Sequence, residues 1–214
     1  DTTVYSHPDR SSMNAGQDEI LELVKEPGST DGYNHPSRIL IKFKNEEIKE
    51  AHDLIGSELF NSTTATITSS VNLELTVAET KNLVSTHNIN VFAVSQSWVE
   101  GTGRYLNLPT SSNGTSWLFR DNSITATPWT GSGTDTDFFG DAGGTGSISS
   151  SVLEQGGGTW YTGSDFFATQ QFLEGDSLDT SFDVKSIVQK HSASLFANQT
   201  YPDGVENHGF LLKM

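Results

Sequence analysis

Against 27 Asp and Glu, the 214 residues set only 12 Lys and Arg, for a formal charge of −15 and a pI near 4.5. That balance argues against a nucleic-acid surface, which needs clustered cations to release counterions, and against docking on an anionic membrane. No apolar run approaches the ~20 residues that span a bilayer, and zero Cys excludes disulfides, thiolate catalysis and Cys-ligated metal while leaving the redox compartment open.

The chain opens at Asp1 with neither an initiator Met nor an apolar targeting stretch, so either a segment was removed or the numbering begins inside a longer product. With 27 Ser, 24 Thr and 20 Gly, the composition suits strands and turns better than helices. Three short strands are expected first: Thr2–Ser6, Glu19–Val24 and Arg38–Phe43, separated by His7-Pro8-Asp9 and by Pro27–Gly32. Glu46–Leu59 reads as a helix. Asn45 is its expected cap, acids fill its first turn, and Ile48, Ala51, Ile55 and Leu59 recur at helical spacing. Thr64–Val77 reads as an extended strand, and Asn88–Trp98 as a central, nearly all-apolar one; the two are expected to pair as antiparallel neighbours.

From Asp121 to Val184 the chain has ten acids, 11 Gly and no Lys or Arg. Its Gly/Ser/Thr tracts, Gly131–Thr136 and Asp141–Ser151, read as loops, with strands at Ser164–Leu173 and Ser177–Asp183. Val184, Ile187, Val188 and His191 share one helical face, and Asp183 is placed to cap that helix. Gly209–Lys213 is a short apolar strand. The expected architecture is all-β: a jelly-roll-like antiparallel β-sandwich over residues 1–214, with two short helices and an acidic Gly-rich insertion at 121–164.

Chemistry-bearing motifs are few. There is no Walker loop, no G-x-S-x-G, and no metal-type pair among the six His; Gly101-Thr102-Gly103 reads as a turn. His191, on the apolar helix face, reads as a packed residue and no His is assigned a role. Asp135, Asp137 and Asp141 are the candidate Ca²⁺ ligands, because carboxylates spaced in a glycine-bearing loop suit a hard cation. Phe139 stands where an EF-hand would have a third oxygen, and the closing Glu is missing. Glu174, Asp176, Asp179 and Asp183 form a second acidic cluster; for both, a solvated acidic loop is the plain alternative. Trp98 and Trp117 read as core. Trp129, Trp160 and Tyr161 lie in polar, Gly-flanked surroundings and are the candidate sugar platform, weighed against burial in the core or a subunit contact. Asn61, Asn113 and Asn198 head N-x-Ser/Thr triplets at the frequency chance gives such a chain.

Several stretches, taken in order, resemble the DNRLRE-type β-sandwich modules. They are Asp1–Ser6, Asn14-Ala15-Gly16, Glu19–Leu23 and Ser37–Phe43, then Ser97–Gly101, Trp117, Ser181–Val184 with Ile187-Val188, and the closing Asn207–Lys213. Two features depart from the family pattern: the helix within Glu46–Thr64 and the enlarged Asp121–Ser164 stretch. Such modules are similar in fold to carbohydrate-binding modules and occur in exported bacterial proteins and as virion structural proteins of tailed bacteriophages. The resemblance therefore implies a non-enzymatic virion component of the surface decoration, neck or tail, assembled in the host cytoplasm. Its implied partners are other virion proteins and copies of itself; no cofactor is expected beyond the Ca²⁺ that the spacing of Asp135, Asp137 and Asp141 suits. The alternative is a carbohydrate-binding module of an exported protein, with a surface glycan as ligand; a glycan-degrading enzyme is a third reading. For an assembly protein, contacts are expected at the low-acid segments Thr63–Val77 and Tyr105–Arg120, with Asp121–Ser164 turned largely to solvent.

Overall fold

In a strand, successive side chains point to opposite faces, and in the main sheet of this protein both faces are buried over β1, β12 and most of β3. The computed structural model describes residues 1–27, 34–55, 60–61, 66–67, 69–80, 86–129, 156–173, 179–195 and 204–214. In chain order the elements are β1 (Thr2–Tyr5), β2 (Lys25–Pro27), β3 (Asn34–Ile41), α1 (Asn45–Ile55), β4 (Phe60–Asn61), β5 (Thr66–Ile67) and β6 (Asn72–Leu75). There follow β7 (Thr86–Ala93), β8 (Phe119–Asp121), β9 (Thr127–Pro128), β10 (Phe167–Leu173), β11 (Thr180–Asp183), α2 (Lys185–Leu195) and β12 (Phe210–Lys213). The class is all-β with two short helices, and the described strand pairs are antiparallel.

The main sheet runs β1–β3–β12–β7–β10, with β2 also paired to β3. Leu40 sits opposite Thr2 and Leu211, and Leu211 opposite Phe92. This register sends Ile39, Ile41, Val91, Ala93, Phe210 and Leu212 to one face, where they pack on Leu73 of β6, Phe182 of β11 and Ile187 of α2. Val4, Leu40 and Leu211 point to the other face, under Trp98, Trp117, Trp129 and Trp160. Each large apolar side chain removed from water contributes about 1.5–3 kcal/mol, so two filled faces stabilise a sheet that neither cover could hold alone.

Four sequence expectations change. Residues 19–24 are not a ladder strand: the N–H groups of Glu22 and Val24 donate to the hydroxyls of Thr3 and Ser37 (both 2.9 Å), which takes them out of strand pairing. The segment expected as one strand at Thr64–Val77 holds β5 and β6 as separate elements. Its β6 pairs with β11, while β7 lies between β12 and β10 instead of beside β6; a strand apolar on both sides takes a neighbour at each edge. Asn45 lies inside α1, where its Oδ1 accepts from Asn207 Nδ2 (2.9 Å), and Glu47 instead reaches back to the Lys44 N–H (3.3 Å). At α2 the expectation holds: Asp183 Oδ1 accepts from the Lys185 N–H at 3.0 Å.

Candidate functional site

The aromatic residues sort first. Trp129 and Trp160 are buried with Trp98 and Trp117, so neither offers the open ring face that a sugar platform needs. Burial, the other reading weighed for them, is the one observed. Their polar edges are satisfied inside: Trp129 Nε1 donates to the Ser116 carbonyl (2.9 Å) and Trp98 Nε1 to that of His208 (2.8 Å). The guanidinium of buried Arg38 lies 4.7 Å from the Trp117 ring and 4.9 Å from the Trp160 ring, and donates to the Gly156 carbonyl (2.9 Å). Lys213 Nζ stands over Trp160 and Phe92 (4.5 and 5.2 Å). Gly157 adopts φ +71 beside Trp117, where a Cβ would come within 2.6 Å of the ring. Trp129 and Trp160 are therefore core on either side of 130–155, within a stretch expected to be turned largely to solvent. Tyr161 is half-buried against Phe166, with ring centres 4.9 Å apart.

Of the acidic candidates, Asp135, Asp137, Asp141, Glu174 and Asp176 lie outside the described residues. Asp179 accepts from the Val77 N–H (3.1 Å) and Asp183 caps α2, so both hold the fold. Among the described residues, no group of three or more His, Asp or Glu is placed to hold a metal ion.

The surface that stands out is a loop end beside β1, built from residues 10–20, 99–114 and 121–125. Its pin is Asn14. Fully buried, this side chain donates to the carbonyls of Glu100 (2.6 Å) and Thr115 (2.8 Å) and accepts from the N–H groups of Gly16 (3.2 Å) and Gly103 (2.7 Å). The Asp18 carboxylate accepts from the Tyr105 N–H (3.1 Å), Asn113 Nδ2 donates to Thr102 Oγ1 (2.7 Å), and Asn122 Nδ2 to the Ser112 carbonyl (3.0 Å). Below them, Arg10 stacks over Tyr105 (4.4 Å) and pairs with Glu26 (2.6 Å), while Tyr5 donates to Glu22 (2.8 Å). Burial, together with that Glu22 contact, pushes the Tyr5 phenol well above its usual range.

From this fixed backbone project Leu106, Leu108 and Ile124, which are 85, 94 and 98% exposed, with Ile20 nearby also exposed. Nothing about a single Leu or Ile marks it as exposed in the sequence. The signal lay in the acid-free run Tyr105–Arg120 and in the Asn/Gly/Ser content of the loops that carry them.

One further constellation is interior. His191 of α2 and His208 are buried near Phe210, and neither His191 Nε2 nor His208 Nδ1 has a hydrogen-bond partner. Burial first, and then the neighbouring His208, push His191 down to about 4; burial also lowers His208, against the pull of Glu206. Both are neutral at neutral pH, which agrees with reading His191 as a packed residue.

Compared with family models, curated proteins and solved structures, the chain matches none.

Proposed function

We propose that the chain is a non-enzymatic structural component of a bacteriophage particle, acting through contacts with other proteins of that particle. The observation that carries this reading is the loop end. Apolar side chains normally cost free energy in water, and here three of them stand almost fully exposed on a backbone locked by buried hydrogen bonds. A surface fixed in advance avoids the ordering entropy that otherwise weakens association.

The ordered resemblance to DNRLRE-type modules supports the same reading, since that likeness extends to virion decoration, neck and tail proteins. The virion is then its location, with assembly in the host cytoplasm. The carbohydrate-binding alternative loses its main support with Trp129 and Trp160 in the core. The test is peptide mass spectrometry of gradient-purified particles from cells that produce the protein. The expected result is its peptides in the particle band at a fixed ratio to the major shell protein. Peptides confined to the soluble lysate would overturn the proposal.

A further inference from the structure

The main sheet ends in a long open edge. At one end of the strand order β1 is buried along its length, and at the other β10 pairs with β7 on one side. Backbone groups alternate between the two sides of a strand. Where the chain leaves β7, the Val94 N–H donates to the Gly209 carbonyl, on the β12 side, and the Ala93 carbonyl accepts from the Tyr161 N–H, on the β10 side. Counting back in twos from Ala93, Val91, Ile89 and His87 face β10, where Ala168, Gln170 and Phe172 stand opposite them and close the ladder. Phe167, Thr169 and Gln171 therefore turn their N–H and C=O groups away from β7, to the outside of the sheet.

Natural sheets blunt such an edge with charges, Pro or a bulge. β10 has none of these: Phe-Ala-Thr-Gln-Gln-Phe-Leu is uncharged, lacks Pro and Gly, and keeps seven consecutive pairs with β7. Acids resume on either side of it, at Asp165, which pairs with Lys190 (3.3 Å), and at Glu174. The side chains choose the occupant. On the face shared by the outward residues the order is Phe167, Thr169, Gln171, Leu173, all exposed, the two apolar ones by 39 and 54%. Apolar, polar, polar, apolar reads the same in both directions. Laid antiparallel on a second β10 about a two-fold axis at Gln170, Phe167 meets Leu173 of the other copy and Thr169 meets its Gln171, and the outward groups of Thr169 and Gln171 exchange bonds across the axis. A shift by two residues sets Phe167 against Gln171 and loses the match, and a shift by one opposes outward groups to inward ones.

We infer that two copies of the chain join edge to edge through β10, antiparallel about Gln170, so that one sheet continues through both. The contact is isologous: each copy offers the same edge, and the assembly closes at the dimer. It goes beyond the assembly reading, since it rests on β10 alone and leaves the loop end to other proteins. Charge opposes this contact and does not drive it, because both copies carry −15. Backbone bonds and the Phe167–Leu173 contacts on either side of the axis must outweigh that repulsion.

The test is sedimentation equilibrium on the full chain across concentration and salt, with the variants Gln171→Pro and Gln171→Glu. Proline removes an outward N–H and no bond to β7, a substitution that edge strands tolerate. Glutamate keeps the shape of the side chain and sets two like charges near the axis. The wild type is expected to reach a dimer and no further, and to dimerise several-fold more tightly at high salt, where the repulsion between copies is screened. Gln171→Pro should dimerise at least tenfold more weakly and Gln171→Glu several-fold more weakly, both melting like the wild type. Should the proline variant fold poorly, the glutamate variant carries the comparison. Register is read by disulfide trapping, which the absence of native Cys allows. On mild oxidation, Thr169→Cys mixed with Gln171→Cys should cross-link the two variants to each other far faster than either to itself. Opposite residues lie about 5.5 Å apart, whereas diagonal ones lie about 7–8 Å apart, beyond ordinary disulfide reach. A monomeric wild type, growth past the dimer, unchanged association of a folded variant, or equal cross-linking of all pairs would each overturn the contact. None of these results bears on whether the protein is in particles, which the mass spectrometry decides separately.

Discussion

Asn14 does more than any other single side chain to hold the loop end, because its amide meets two carbonyls and two N–H groups from three chain segments. Removing it strands buried polar groups, at about 1–3 kcal/mol each where water cannot reach. Asn14→Ala is therefore expected to lower unfolding free energy in urea by about 3 kcal/mol, and Asn14→Asp comparably, since a carboxylate would face two carbonyls. A loss under about 1 kcal/mol would show that water replaces the amide. His191 sets a second prediction at this scale. The unfolded chain takes up this proton near pH 6.5 and the folded chain only near 4. The contribution to stability is thus complete above 6.5 and is lost as pH falls from 6.5 towards 4, by about 3 kcal/mol. His208 shifts in the same direction and adds to the slope. Chemical denaturation of wild type and His191→Leu at neutral and acidic pH should show the gap between them change in favour of the variant on acidification. Parallel pH profiles would contradict the account.

Among the elements, β12 closes the sheet. Though last in the chain, it lies between β3 and β7 and sends Leu211 to one core and Phe210 and Leu212 to the other. Deleting residues 210–214 should abolish cooperative thermal melting, read by circular dichroism; a sharp transition near that of the wild type would contradict this. The strand itself was legible in the sequence as Gly209–Lys213, as were β10 and the α2 cap, because each pairs a clear apolar pattern with a turn or cap residue. β3 and β7 were legible as strands but lie nearer the N-terminus, at Asn34–Ile41 and Thr86–Ala93, than the expected Arg38–Phe43 and Asn88–Trp98. Which strands pair was not legible. β6 and β11 lie far apart in the chain, and their alternation fits any half-buried partner. Residues 19–24 misled because apolar residues among acids resemble a strand, while the Thr3 and Ser37 hydroxyls that divert their N–H groups arrive from elsewhere. Trp129 and Trp160 stood open between a surface platform and burial, because polar, Gly-rich neighbours fit either; in the fold the glycines let the backbone approach Trp117 and the rings are buried.

For the whole molecule, a charge of −15 sets the terms of association. Like charge keeps copies apart at low salt, so any stable contact must gather apolar surface where acids are sparse. The acid-free run Tyr105–Arg120 was legible as such a place, but the position of its leucines was not, because their exposure depends on how Asn14, Asp18 and Asn113 fix the loops. The most direct measurement compares wild type with Leu106→Asp, Leu108→Asp for incorporation into particles, after thermal melting has shown the two equally folded. The account predicts that the variant is left in the soluble fraction while the wild type enters particles. A variant that is incorporated at the wild-type level would contradict it.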